Sequence, residues 1–375
     1  MVSLGIDFGT TNTVAALSAD GQCDLVALPG GREVTPSVVR FRPDGDVSVG
    51  TVALEAKPID PMNTIYSIKR VLGRPWHSRE VLEYRNQYPF TIDNDADDRL
   101  RITTRAGKLT PAEIASHIFR FVSTSQAIAG AVIDTVAITV PVAAREDQRA
   151  ATVATAARAG FRNLHLIDEP SASALAYLHD ESAAKTIAVY DLGGGTFDLG
   201  VLRWEDDGFE TLASGGDTYL GGDDVTYRCT NWAADQILQE HRWDVRANKE
   251  AMAALSVACE DAKIALSQSH QFDIDLSRVD PNLAGRHLTL ERVALEKISD
   301  DLVRRTFILC DEVIARSSIS ARDVDMVVLA GGGSYMPCIR QGVERYFGSR
   351  PKMEIAPDRV VAIGAAWHAS RVAAR

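Results

Sequence analysis

Cysteine is sparse in this chain: five in 375 residues (Cys23, Cys229, Cys259, Cys310 and Cys338), with no Cys-x-x-Cys pair. That spacing excludes a disulfide-framed scaffold and a zinc site, and it fits packed or free thiols in a reducing compartment. Long apolar runs are lacking as well. The first apolar stretch already contains Asp7, which excludes a signal peptide, and no run reaches the length of a membrane span. Positive charge is in deficit: a net charge of −11 argues against nucleic-acid and anionic-membrane partners. The eight histidines are scattered, without a His-Glu-x-x-His arrangement, and read as structural or surface groups. No low-complexity linker interrupts the chain. The expectation is a soluble, cytoplasmic protein, with a core drawn from the 46% of residues that are hydrophobic.

What is present is one short pattern used twice. Leu4-Gly5-Ile6-Asp7-Phe8-Gly9-Thr10-Thr11-Asn12-Thr13-Val14 and Ala188-Val189-Tyr190-Asp191-Leu192-Gly193-Gly194-Gly195-Thr196-Phe197-Asp198-Leu199-Gly200-Val201 each read as an apolar strand ending in Asp, a Gly/Thr turn, and a second strand. Glycines admit phosphate to the backbone N–H groups, Thr hydroxyls add donors, and each Asp offers hard oxygen to Mg²⁺. Two copies half a chain apart imply two related lobes gripping one polyphosphate; the plainer alternative is a pair of glycine hairpins with polar tips.

The first hundred residues are rich in strand and turn signals, with Asp93–Asp98 a solvated turn. Helical patterning starts at Pro111. A buried strand over Thr135–Val140 precedes an Ala-rich helix from about Arg145 to Gly160. Leu164–Ile167 then delivers Asp168-Glu169-Pro170 to a helix start. Helices cover roughly 223–268, a strand Phe272–Leu276, and another helix 291–316. Strand Met326–Leu329, the turn Gly331-Gly332-Gly333, a helix opened by Pro337 and a final helix after Asp358 complete an α/β chain with mixed sheets.

The P-loop pattern, the Gly-x-Gly-x-x-Gly dinucleotide fingerprint and the kinase His-Arg-Asp loop are all missing. The triple glycine ahead of a helix suits a nucleoside or phosphate group, although tight strand-to-helix turns also carry glycine for packing.

Taken in order, these segments resemble the DnaK-like seventy-kilodalton heat-shock chaperones, within the actin-like ATPase superfamily. The likeness runs through Gly5–Asn12, Ile68-Lys69-Arg70-Val71-Leu72-Gly73-Arg74, Asp168-Glu169-Pro170-Ser171-Ala172, Asp191–Asp198, Gly216–Asp223, Gly331-Gly332-Gly333-Ser334 and Pro357-Asp358. It implies an actin-like (ribonuclease H-like) α/β fold with two lobes built on five-stranded-type sheets. Lobe I would be 1–183 with 353–375 returning to it, and lobe II 184–352. The implied ligands are ATP/ADP and Mg²⁺.

Residue by residue, the resemblance implies that Asp7 and Asp191 hold the metal. Gly9, Thr10, Thr11, Asn12, Gly193, Gly194, Gly195 and Gly222 would surround the phosphates. Glu260, Lys263, Ile264, Ser267, Gly331, Gly332, Gly333, Ser334, Tyr335 and Asp358 would surround the nucleoside. Lys69, Glu169, Thr196 and Asp198 would serve hydrolysis. Other readings of three of these stay open: Lys69 as surface solubility, Glu169 as a helix-start acid favoured by the dipole, and Asp358 as a helix N-cap.

Two departures from the family pattern stand out. Ile264 and Tyr335 occupy the places of two adenine-sandwiching arginines, a loss of about 1–3 kcal/mol of cation–π contact that puts base selectivity in doubt. Ala143 and Ala144 follow Pro141 where the family carries bulkier aromatics, while Pro141 and Arg149 match its interlobe switch. The chain also ends at Arg375, before the linker and peptide-binding domain of full-length family members, so the expectation is either an excised domain or a natural short form working with a separate client-binding chain.

The leading expectation is a slow Mg-dependent ATPase of chaperone type. It would be a monomer working with a co-chaperone or nucleotide-exchange partner. A nucleotide-dependent switch or assembly protein is the alternative. A small-molecule phosphotransferase comes third, because no base for an acceptor hydroxyl stands out.

Overall fold

A computed structural model describes residues 1–178, 185–205 and 208–374. The lobe boundary expected at 183/184 and the terminal Arg375 lie outside the described residues.

The repeated pattern folds as two equivalent hairpins. Strand β1 (Val2–Phe8) turns antiparallel onto β2 (Asn12–Ala19), with Asp7 opposite Val14. Strands β3 (Gln22–Leu25) and β4 (Val34–Pro36) both pair with β2, and on the other side β5 (Ile133–Val140) and β6 (Leu164–Asp168) run parallel to β1 in the order β6-β5-β1-β2-β3. In the second sheet β7 (Thr186–Leu192) and β8 (Phe197–Glu205) form the hairpin, with Asp191 opposite Asp198. Strand β9 (Gly208–Asp217) continues it antiparallel and β10 (Met326–Ala330) lies parallel to β7, giving β9-β8-β7-β10. Against the expected five strands, among the described residues the first sheet has six and the second four, a lone parallel bridge from Val328 to Lys352 standing in the fifth place. Residues beside Lys352 are turn-forming, with Pro351 before it and Pro357 soon after, so no strand propagates.

Parallel neighbours require covered faces. Helix α1 (Pro111–Ser123) is started by a reciprocal Thr110–Glu113 capping box with Pro111 in its first turn. With α2 (Glu146–Arg158) it closes the first lobe over a core that includes Leu4, Ile6, Phe8, Ile114 and Ile138. Helices α4 (Gly222–His241), α5 (Lys249–Leu266), α6 (Arg292–Ser317) and α7 (Pro337–Phe347) cover the second lobe. The helical span expected at 223–268 is broken between α4 and α5. Arg242 turns left-handed at φ 56°, and Asn248 caps the new helix by accepting from the N–H groups of Glu250 and Ala251.

A third core joins the lobes. Helix α3 (Glu169–Leu178) and α8 (Val360–Ala373) pack on each other, and Ala137, Ile167, Ile187, Val189 and Val328 from both sheets pack around them. Alanines on α8 let it lie close to β1 and β5. Its N-cap is Arg359, without a side-chain cap bond, so the N-cap alternative for Asp358 is overturned. No described helix is long and apolar enough to cross a membrane.

One buried charge carries much of the outer part of the first lobe. Asp60 is 8% exposed and accepts from Asn63 Nδ2 at 3.0 Å, from Arg40 Nε at 3.2 Å and from Arg105. Burial pushes its carboxyl up, but the bonds from Arg105, Asn63 and Arg40 outweigh this and hold it below its ordinary value of 3.8. Asp60→Asn should therefore cost about 2 kcal/mol at neutral pH. A depressed native pKa gives stability that is full above the unfolded value and lost as pH falls through the native one. The gap between wild type and variant should accordingly close below pH 3.8, as urea melts across pH will read. A gap that persists into acid would assign the loss to shape instead of charge.

Candidate functional site

The two Gly/Thr turns face each other across the lobes, close enough that side chains would collide. A Cβ on Gly194 would stand 1.6 Å from Thr11 Oγ1, and one on Gly195 would stand 2.5 Å from Thr10 Cγ2. Glycine is needed here for the close approach of the two turns. Gly193 and Gly194 are anchored to the start of α4: Gly222 N–H donates to Gly193 O at 3.0 Å and Asp223 N–H to Gly194 O at 2.6 Å. On the first turn, Gly9 O accepts from Ser37 Oγ at 2.9 Å, and Asn12 opens β2.

Below the turns lie Asp7 at the end of β1, Asp191 at the end of β7, Asp198 at the start of β8 and Glu169 at the head of α3. Lys69, on a 3-10 turn at Ile68–Val71, donates to Glu169 Oε1 at 2.6 Å, and its side chain is only 11% exposed. The surface-solubility alternative for Lys69 is thereby overturned. Glu169 is both the first residue of its helix and a buried acceptor, 6% exposed. Burial works against the lysine charge, but Glu169, Asp7 and Asp198 outweigh it, so Lys69 stays protonated.

The carboxylates are pushed the other way. Burial, opposed by Lys69 and helped by Glu169, raises Asp7 to about 6. Burial with Glu169 and Asp7 lifts Asp191 well above the usual range, and burial with Glu169 and Asp191 does the same for Asp198, against a bond from Thr196. Acids that crowd together with a single lysine between them lack positive charge, which is the donor chemistry of a hard dication. Among the described residues no three His, Cys, Asp or Glu side chains converge on one point. The residues fit a metal held by two carboxylates, with water and phosphate completing its shell.

On the nucleoside side the glycine turn leaves β10 as a 3-10 turn over Gly332–Tyr335. Gly331 packs against Leu192 and the Asp191 carboxylate and donates its N–H to Pro357 O at 2.8 Å. Gly332 is exposed, whereas Gly333 is buried over Leu192. Ser334 turns inward, its hydroxyl donating to Ala330 O at 2.6 Å. Tyr335 is half-buried and donates its hydroxyl to Asp358 Oδ1 at 2.9 Å. Lys263 is buried between Gly222 O at 2.9 Å and Glu260 at 2.7 Å, and Ser267 donates to Lys263 O at 3.5 Å. Ile264 follows Lys263 on α5 and is 61% exposed.

Sequence reading missed several members. Thr139 donates to Asp7 Oδ1 at 3.0 Å; a Thr within the apolar run Val136–Val140 was the available signal. Arg70, with a side chain 1% exposed, crosses to the second lobe. It donates to Thr218 O at 3.0 Å and Asp224 Oδ2 at 3.4 Å, and its guanidinium lies 4.4 Å from the Tyr219 ring centroid. Tyr219 returns a bond to Glu80 O at 2.6 Å.

Comparison with known proteins agrees with this geometry. A family model described as Hsp70 protein matches residues 3–373. The chain is 37% identical over 374 residues to the chaperone protein dnaK of Cyanidioschyzon merolae (strain NIES-3377 / 10D), covering 99% of this chain and 62% of the relative. It is 36% identical over 373 residues to the chaperone protein DnaK of Deinococcus radiodurans, covering 98% and 59%. It thus spans about three fifths of the length of these curated relatives.

Proposed function

The chain belongs to the Hsp70 family, and on that premise we propose that it binds ATP with Mg²⁺ between its lobes and hydrolyses it slowly, as the nucleotide-binding domain of a chaperone. The observation that carries the reading is the protonated Lys69 held 2.6 Å from Glu169 beneath two facing Gly/Thr turns. Asp7 and Asp191 would hold Mg²⁺, which neutralises phosphate charge when bound.

The residues divide the work by position. Backbone N–H groups of Gly9–Thr11 and Gly194–Thr196 bind the phosphate oxygens, while the Gly193 N–H closes the second turn onto Thr196 O at 3.0 Å. Glu169 holds the lysine, and its remaining lone pairs accept from the attacking water. The Lys69 ammonium stabilises charge that develops on the terminal phosphoryl group. Thr196, bonded to Asp198, sits on the opposite wall and orders the same water. Hydrolysis in this reading is coupled to a co-chaperone or nucleotide-exchange partner, with the chain monomeric and cytoplasmic.

Single-turnover phosphate release from Mg-ATP tests the reading. Nucleotide binding without release would support the switch or assembly alternative, for which nucleotide-dependent light scattering is the direct assay.

The base contact has its own test. If the anchored Tyr335 ring stacks on adenine, Tyr335→Ala should weaken ATP by about 1 kcal/mol, about fivefold in Kd. Tripolyphosphate should bind as in wild type. Equal losses for both ligands in calorimetry would remove Tyr335 from the base site.

A further inference from the structure

Asp223 touches every segment expected to handle phosphate without itself being suited to do so. It stands in the first turn of α4, and its carboxylate accepts from Thr11 Oγ1 at 3.1 Å and from Ser67 Oγ at 3.3 Å, both in the first lobe. Its own N–H donates to Gly194 O at 2.6 Å. One residue therefore bonds the turn between β1 and β2, the turn between β7 and β8, and the residue just before the 3-10 turn that carries Lys69.

A carboxylate repels phosphate, so its value lies in holding hydroxyl and N–H donors of other segments. Ser67 reinforces this. It is 3% exposed and adopts a left-handed conformation at φ 54°. Non-glycine residues hold such a conformation where the surroundings over-determine it. Its bond to Asp223 fixes where the chain enters Ile68–Val71, and hence where Lys69 starts.

We propose that Asp223 is a positioning residue for hydrolysis: its bonds to Thr11 and Ser67 lock the lobes together and set Lys69 in register with the second phosphate turn. This rests on the ATPase reading above. Lys69 and Glu169 come from the first lobe, Thr196 and Asp198 from the second, so the reacting water is surrounded only while the lobes are locked. The same lock slows escape of product.

The test compares wild type with Asp223→Ala, Asp223→Asn and Ser67→Ala, using single-turnover ATP hydrolysis and the dissociation rate of ADP. Two bonds to a charged acceptor predict that Asp223→Ala slows hydrolysis and speeds ADP loss by about tenfold each. The Kd of ATP should change far less than the hydrolysis rate. Asp223→Asn keeps an acceptor oxygen and should recover most of both rates, while Ser67→Ala should show about a threefold share. Should Asp223→Ala fail to melt cooperatively, the Asn and Ser67 variants decide alone. Rates within twofold of wild type in all variants would overturn the proposal. So would an Asn variant no better than Ala, since a merely structural defect gives no chemical rescue. Wild type that binds ADP but does not hydrolyse ATP would instead overturn the ATPase reading, and the positioning role with it.

Discussion

Lys69→Ala should lower single-turnover phosphate release by about 10²–10³-fold while ATP still binds. In the proposed reaction Lys69 would act late. Its Nζ is tied to Glu169 at 2.6 Å and lies 5.8 Å from the Phe8 ring centroid, in a wall that is almost closed to solvent. A point charge in such surroundings meets little dielectric screening, so charge that grows on the phosphoryl oxygens during P–O cleavage feels it more strongly than the ground state does. In the proposed reading, binding would draw on other groups: N–H donors of the two turns and nucleoside contacts at Tyr335 and Lys263. The expected signature is therefore a loss in rate with a Kd for ATP that moves only a few-fold, measured by phosphate release beside calorimetry. Glu169→Gln offers the complement. It keeps a carbonyl oxygen for the lysine but removes the charge, so it should slow release with the lysine still in place. A Lys69→Ala protein that releases phosphate at the wild-type rate would remove Lys69 from the chemistry.

Much of this site could be read before any coordinates. The double hairpin, the Asp at each strand end and the glycine turn after Leu329 appear where the sequence pattern puts them, because each is a local device: a two-residue strand period followed by residues that tolerate a tight turn. The actin-like ATPase fold of the family follows from their order. What stayed hidden was contact between segments far apart in the chain. Thr139 reaches Asp7 across 132 residues and Arg70 reaches Asp224 across 154. No local propensity marks an Arg as buried; only the second lobe supplies its Thr218 carbonyl, its carboxylate and its Tyr219 ring. Lys69 and Asp358 show the same limit from the other side. Composition allowed a solvated lysine and an N-cap, and tertiary packing put the first into an ion pair and the second under the Tyr335 hydroxyl.

Gly364→Ala should produce the largest stability loss of any single methyl added to this protein's helices, about 3 kcal/mol and roughly 4 °C in Tm. Helices α3 and α8 meet at this point backbone to backbone. A Cβ on Gly364 would lie 1.6 Å from Ala172 O and 2.4 Å from its carbonyl carbon. No rotamer change relieves a clash with main chain, so the helices must part. Their separation opens the core shared by Ile167, Val189, Val328 and Val361, which joins the two sheets. Gly208→Ala, in a strand, is the control, since a Cβ there meets nothing within 4 Å among the described residues, and its effect should stay within about 0.5 kcal/mol. The damage should also reach the chemistry. Glu169 is the first residue of α3, and α8 packs along β1, which ends next to Asp7 and Phe8. A shift of either helix therefore moves the lysine's partner relative to Asp7. Loss of phosphate release in folded Gly364→Ala protein at low temperature, alongside the fall in Tm, would tie interlobe packing to catalysis. Full activity with a lowered Tm would confine the helix pair to stability.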